Sequence, residues 1–240
     1  MAITFRVYQS NTSSSTVDLS GNPPVAGERG LCWSVSDSTS TSGSGPGTGW
    51  TQVGGAWVVN TADAQSISVW TKDAAWAGGE TSLSITTSTV NLNGAMAIGG
   101  LDATTFIDVT IPTPANSSTA SASPRTITLA ITPATNGALL IAVIGGDTTA
   151  STDATFSASD TGGLSWTTRA DQNDGFRNMG VCTAIQGSAA ATTVTGQATF
   201  ASGNAGITLF VLALRPAVTA AVSAPPMKTM GSRIAPYLHF

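Results

Sequence analysis

Two series of short alternating runs, in one order, occupy this chain of 240 residues. In the first series Ile3, Phe5 and Val7 alternate with Thr4 and Arg6, and Leu31, Trp33 and Val35 alternate with Cys32 and Ser34. A period of two puts successive side chains on opposite faces, the mark of a half-buried β-strand. Runs at 50–53, 57–59, 66–70, 81–85 and 94–98 are equally short and are bounded by Gly, Asn or Asp, residues that turn a chain. The second series replays the first. Residues 126–131 match the opening run, 136–144 match 29–35, and 165–169 match 49–53; 180–185 match 68–72, 192–200 match 81–88, and 204–214 match 93–98. Trp50-Thr51 and Trp166-Thr167 anchor the alignment. The run 136–144 is continuously apolar, as expected of a strand buried on both faces.

Composition removes the helical alternatives. Only 9% of residues are charged, and the only lysines are Lys72 and Lys228, so the charged periodic faces of long surface helices are missing. A hydrophobic content of 41% is ample for packed cores, so the low charge does not imply disorder. The expected fold is all-β: two tandem antiparallel β-sandwiches, jelly-roll-like, in which paired sheets hide their inner faces. The expected boundaries are an N-terminal sandwich at 1–112, a linker at 113–123, a C-terminal sandwich at 124–216 and an extended C-terminal arm at 217–240. Between the halves, the chain turns a corner at Gly99-Gly100 and Asp102, where Asp102 reads as a cap for backbone N–H groups. It leaves through 107–111, where Ile107, Val109 and Ile111 alternate with Asp108 and Thr110 as in a strand. Pro112 and Pro114 stop that run, because proline cannot donate to a ladder. The Ser/Thr/Gly-rich stretches 36–49 and 145–163 read as surface loops.

Several chemistries are excluded or weakened. The net charge is −4 and the basic residues are scattered, which disfavours a nucleic-acid partner. No apolar run approaches the roughly 18 residues of a membrane span, and the N-terminus begins directly as a strand without a leader pattern. Cys32 and Cys182 fall in different halves and read as free, buried thiols. The only histidine, His239, is the penultimate residue, a poor place for the rigidly held base of a nucleophilic triad. No metal-ligand cluster or phosphate cradle occurs. The segment Asp171-Gln-Asn-Asp-Gly175 gathers acids in a loop; an Asx turn explains it better than a calcium site, which would need more ligands. No catalytic residue, cofactor or metal is expected.

Three segments carry a family likeness: Gly100-Leu-Asp-Ala-Thr-Thr-Phe-Ile-Asp108, Trp166-Thr-Thr-Arg-Ala-Asp171 and Ala213-Leu-Arg-Pro216. Their order resembles a group of tailed-bacteriophage virion structural proteins, described as minor tail, capsid decoration or structural proteins. In that group a G-x-D-x-T-x-P-I-D-V segment joins two β-sandwich units and a W-T-x-R-A-D segment follows. The resemblance spans roughly residues 28–216, and Phe106 stands where the group usually has proline, which implies a less rigid corner. It implies a non-enzymatic virion component assembled in the bacterial host cytoplasm. As a capsid decoration (cement) protein it would contact the major capsid protein or other virion subunits as a homo-oligomer, with no nucleic-acid or membrane partner.

Other readings stay open at this stage. One is a minor tail or baseplate component. Another is a carbohydrate-binding adhesion module that stacks sugars on Trp57, Trp70 and Trp76. A third is a polysaccharide hydrolase built on a carboxylate pair. The arm is the sharpest functional feature. Met227, Met230, Ile234, Tyr237, Leu238 and Phe240 are costly to leave in water, Pro225-Pro226 and Pro236 stiffen the chain, and Lys228 and Arg233 bring positive charge. The expected partner-binding residues are Met230, Arg233, Ile234, Tyr237, Leu238 and Phe240, docked on a neighbouring subunit.

Overall fold

The protein, in a computed structural model, is built of antiparallel β-sheets, with no α-helix among the described residues. These are residues 2–9, 15–36, 45–55, 58–60, 65–86, 91–117, 123–148, 154–174, 177–200 and 205–218. The N-terminal half contributes β1 (Thr4–Gln9), β2 (Thr16–Asp18), β3 (Arg29–Ser36), β4 (Trp50–Gln52), β5 (Val58–Asn60), β6 (Gln65–Lys72), β7 (Ser82–Ser84) and β8 (Asn91–Gly99). The C-terminal half contributes β9 (Ala115–Asn116), β10 (Arg125–Ile131), β11 (Leu139–Thr148), β12 (Ala154–Asp160), β13 (Thr167–Asn173), β14 (Arg177–Ile185), β15 (Thr192–Phe200) and β16 (Ala205–Leu214).

Both halves use one strand order. The larger sheet of the first half runs β1-β8-β3-β6-β4, with β5 also on β6; that of the second runs β9-β16-β11-β14-β13. The smaller sheets run β2-β7 and β10-β15-β12. An isolated bridge from Gly45 to Thr86 stands in the first half where β12 pairs with β15 in the second. This order corrects one element of the sequence alignment. Thr4–Gln9 corresponds to Ala115–Asn116, and Arg125–Ile131 corresponds to the short Thr16–Asp18, not to the opening strand. Strands of two or three residues carry no readable period, so alternation alone pairs the longer runs with each other.

The layers stack as small sheet, large sheet, large sheet, small sheet, with an apolar core in each of the three gaps. The middle core belongs to both halves. Leu31, Trp33, Val35, Ile67, Val69, Leu92, Met96 and Ile98 from the first large sheet meet Leu139, Ile141, Val143, Val181, Phe210 and Leu212 from the second. The alternation explains how one strand serves two cores. On β16, Phe210, Leu212 and Leu214 face this shared core, while Leu209, Val211 and Ala213 face the outer gap of the C-terminal half. On β3, Cys32 turns the other way, towards Val17, Leu83 and Ile85.

Two glycines make room in the shared core, Gly94 beside Trp33 within one sheet and Gly145 across the gap. A Cβ on Gly94 would lie 2.4 Å from the Trp33 ring, and one on Gly145 would lie 1.8 Å from Cδ1 of Ile67 in the facing sheet. The missing side chains make room for the indole and for the isoleucine. A polar peg crosses the same gap. Trp33 Nε1 donates to Gln172 Oε1 at 2.7 Å, and Gln172 Nε2 donates to the Asn93 carbonyl at 3.0 Å, all buried. Arg169 lies 4.1 Å from the centre of the Phe5 ring, a further contact between halves.

Three sequence expectations change. Residues 107–111 form no strand: Ile107 makes one isolated bridge to Leu214, because Asp108 turns its carboxylate inward. Within 113–123, read as a linker, Ala115 and Asn116 pair with Leu209 and Thr208 as β9. The stretch 145–163 contains β12, which supplies Phe156 to the outer core.

Replacing Gln172 by Leu should leave the Trp33 indole N–H buried without its acceptor, a loss of roughly 1–3 kcal/mol. Denaturant midpoints would measure it. Adding Trp33→Phe to that variant removes the orphaned donor, so the pair should be less than additive; strict additivity would contradict the peg.

Candidate functional site

The corner after β8 is built from glycine, aspartate and the end of β16. Gly100 has φ +80°, and a Cβ there would sit 2.5 Å from the Ala2 carbonyl, so only glycine fits. Asp102 Oδ1 accepts the N–H groups of Thr104 and Thr105, both at 2.8 Å, and the Thr104 hydroxyl at 3.0 Å. These bonds to Thr105 and Thr104 hold its carboxyl below the usual range. The capping role expected of Asp102 is what the structure shows.

From there the chain is laced to the end of β16. Asp102 N–H donates to the Arg215 carbonyl at 2.9 Å, and Arg215 N–H to the Phe106 carbonyl at 2.7 Å. Asp108 N–H donates to the Ala213 carbonyl at 2.9 Å, and Leu101 bridges Pro216. Phe106 is braced from the first half: the Arg29 guanidinium lies 4.9 Å from its ring centre. Arg29 Nε also donates to the Asp102 carbonyl at 3.3 Å.

Asp108 is the clamp. Its side chain is fully buried and accepts from Ala134 N–H at 2.6 Å, Thr135 N–H at 3.0 Å, the Thr135 hydroxyl and Arg215 Nε at 3.3 Å. Burial works against its charge, but the bonds from Thr135, Ala134 and Arg215 outweigh it and leave the carboxyl below its ordinary range.

Beside this corner lies a cleft of about 800 Å³, walled by the first half, the corner and the departing C-terminal segment. Ala217 N–H is tied to the Gly100 carbonyl at 2.8 Å, and Ala217 and Val218 form part of the wall. Val25 is 49% exposed and Val218 80%, two of the three large exposed hydrophobics among the described residues. Glu28 supplies charge at the floor. Arg6 Nε donates to its two oxygens at 3.1 and 3.2 Å, and Val25 N–H donates at 2.8 Å.

The six partner-binding residues expected of the arm, Met230, Arg233, Ile234, Tyr237, Leu238 and Phe240, lie outside the described residues, as does Trp57. The other proposed stacking rings are committed. Trp70 is 3% exposed and Trp76 4%, and Lys72 Nζ sits 4.9 Å from the Trp76 ring and 5.4 Å from the half-buried Trp50 ring. Trp166 packs against the outer core and donates Nε1–H to Asp160 Oδ1 at 3.0 Å. Asp160 also accepts from Gly162 N–H, Leu164 N–H and the Thr192 hydroxyl at 2.6, 2.8 and 3.0 Å. Cys32 and Cys182 are free and buried, and burial raises both thiols.

The segment 171–175 is corrected. Asp171, Gln172 and Asn173 belong to β13, since Gln172 has to reach Trp33, and the turn begins only at Asp174, whose Oδ1 accepts Arg177 N–H at 2.9 Å. Among the described residues no three His, Cys, Asp or Glu side chains group as a metal site, and no helix is long and apolar enough to cross a membrane. Reasoning from sequence missed Gln172, Asp160 and the cleft. Asp160 was legible in principle, since an Asp before Thr161-Gly162-Gly163 is a turn-capping arrangement.

The chain matches no known protein family, no curated protein and no solved structure.

The clamp has a pH signature. Asp108 titrates lower in the folded state, so its stabilisation is complete above the ordinary value of 3.8 and is lost as pH falls through the lower folded value. Asp108→Asn should cost roughly 1–3 kcal/mol at pH 7, and the gap to the native chain should shrink below pH 3.8. Denaturant melts across pH 2 to 7 would check this; a gap that widens on acidification would contradict it.

Proposed function

We propose that this chain is a non-enzymatic structural protein of a bacteriophage virion, a capsid decoration (cement) protein on the outer head surface. Its C-terminal arm engages the major capsid protein or other virion subunits, and it works as a homo-oligomer on the symmetric lattice. One observation carries the reading. All three segments that resemble phage virion proteins place residues at the contact between the two halves. Gly100 to Asp108 is laced to Ala213 through Pro216 by the bonds of Asp102, Phe106 and Asp108. In the segment from Trp166 to Asp171, Ala170 sits in the shared core and Arg169 covers Phe5. Motifs spent on joining two sandwiches fit a protein whose task is to be a rigid piece of a shell.

Electrostatics points the same way. Asp102, Asp108 and Asp160 are all held below the ordinary carboxylate range, whereas a glycosidase acid needs a raised value. Burial of Trp70 and Trp76 removes two of three rings from a sugar platform. The shared strand order supports reading each half as a jelly-roll-like unit of a tandem pair, and the particle, assembled in the bacterial host cytoplasm, is the proposed location.

Mass spectrometry of separated heads and tails tests the assignment: recovery with heads is expected, and recovery only with tails would make it a tail or baseplate protein. Deleting residues 225–240 should leave melting nearly unchanged, because among the described residues the three cores are built from the segments up to Leu214, yet should strip the protein from particles. Wild-type occupancy by the deleted form would remove the arm from the account.

A further inference from the structure

We infer that the pocket between Phe5 on β1 and the end of β14 is a binding site for a sugar acid, with Arg169 holding the carboxylate. The pocket has a volume of about 350 Å³. Arg169 reaches it through a bulge in β13: Thr168 stands opposite Cys182 and Ala170 opposite Val181, so Arg169 is the extra residue. Such a bulge re-aims a side chain and is common beside functional sites. Here it turns two successive residues to one face. Ala170 enters the shared core with Val181, and Arg169 Nε donates at 2.9 Å to Oγ1 of Thr183, two residues beyond Val181 on β14. The outcome is a half-buried cation whose charge no acid answers. The guanidinium lies 4.1 Å from the Phe5 ring centre. Among the described residues the ion-paired arginines are Arg6, Arg177 and Arg215, and no acid stands in the lining of this pocket. A contact that only joined the halves would be served by an uncharged side chain, whereas a planar fork of N–H donors at a pocket suits an anion.

The pocket selects among anions. A guanidinium meets a carboxylate through two parallel N–H···O bonds and cancels one charge with one. A phosphate group carries about −1.5 to −2. Arg169 is the only cation in the lining, so a phosphate would keep part of its charge uncompensated in a half-buried site. The rest of the lining fits a hydroxylated ring. Ser165 and Thr167 are exposed and offer hydroxyls. Ala184 and Ile185 form an apolar wall, Ile185 being 54% exposed. Ring C–H groups pack on that wall while ring hydroxyls reach the Ser/Thr pair. The volume stands at the lower end of the about 300–1,000 Å³ typical of small-ligand pockets, room for one ring and not for an extended chain. No stacking platform is involved, because the guanidinium already covers the Phe5 ring. The buried Trp70 and Trp76 therefore have no bearing on this site.

Isothermal titration of the purified full chain with galacturonate and with glucuronate tests the site. At least one of the two should saturate at one site per chain. Galactose, glucose, acetate and inorganic phosphate should each bind at least about tenfold more weakly. Arg169→Lys keeps the charge but loses the fork, and should weaken binding about tenfold. Because Arg169 also joins the halves, Ser165→Asp is the second variant. It sets an acid at an exposed position outside the three cores, and should abolish binding with the melting temperature unchanged. Tighter binding of a trisaccharide of the same acid would identify the ligand as a unit of a polysaccharide, and equal affinity would identify a free acid; both results support the site. No saturation by either acid, equal affinity for the neutral sugar, acetate or phosphate, or binding untouched by either variant would each overturn the inference. The measurement needs no particle, so failure of the cement assignment in the head and tail fractions is read separately.

Discussion

The apolar contact between the two large sheets is the constraint on which the rest of this structure depends. Each of those sheets is buried on both faces, so its strands must be apolar twice over, and neither can be withdrawn without exposing a contiguous hydrophobic face. Trp33 fixes the contact in register. Its indole needs the space left by Gly94 and an acceptor supplied by Gln172 from the other half. A polar group buried in such a gap costs more when unmatched than it contributes when matched, so the peg mainly penalises any other way of stacking the two sheets. The duplicated halves are therefore not beads on a string. Their large sheets share a middle layer of packing.

The corner makes sense once that contact is fixed. With the sheets face to face, the connecting segment has to pass along the edge of β16, and a regular strand there would give Asp108 nothing to bind. The chain instead gives up ladder pairing between Ile107 and Ala115, and Asp108 takes four donors from the turn at Ala134-Thr135 and from Arg215. Arg29 and Phe106 brace the same place from the first half. The joint is stiff because its polar groups are spent on each other, and the same commitment leaves Asp102 and Asp108 unsuited to proton transfer. Ala217 and Val218 lie at the edge of this joint, beside the cleft, with Ala217 N–H tied to the Gly100 carbonyl.

Much of the fold was legible because the period of two is a direct consequence of strand geometry. The runs at Ile3 to Val7 and Leu31 to Val35 announced strands, and the continuous apolar run from Ala138 to Ile144 announced a doubly buried one. Asp102 was legible as a cap from its place before Thr104. The contact between halves was not, since apolar residues on a second face say that something covers them without saying what. Gln172 looked like a turn residue among Asp171, Asn173 and Asp174, and only tertiary packing makes it a strand residue with a buried partner. β2 and β9 are too short to carry a period, so the alignment of the halves slipped by one strand. Of the candidate site, the composition of the arm was visible in advance. The cleft at its base was not, because it is assembled from Val25, Gly100 and Ala217, residues far apart in the chain.

Native-state hydrogen exchange across a denaturant series tests most directly the claim that the two halves form one body. Amides in β3 and β8 of the first half and in β11 and β16 of the second should reach one common opening free energy with one denaturant slope, because neither large sheet survives loss of the other. Exchange of one set through a lower-energy opening, while the other stays protected, would show that each sandwich stands alone and would contradict the account.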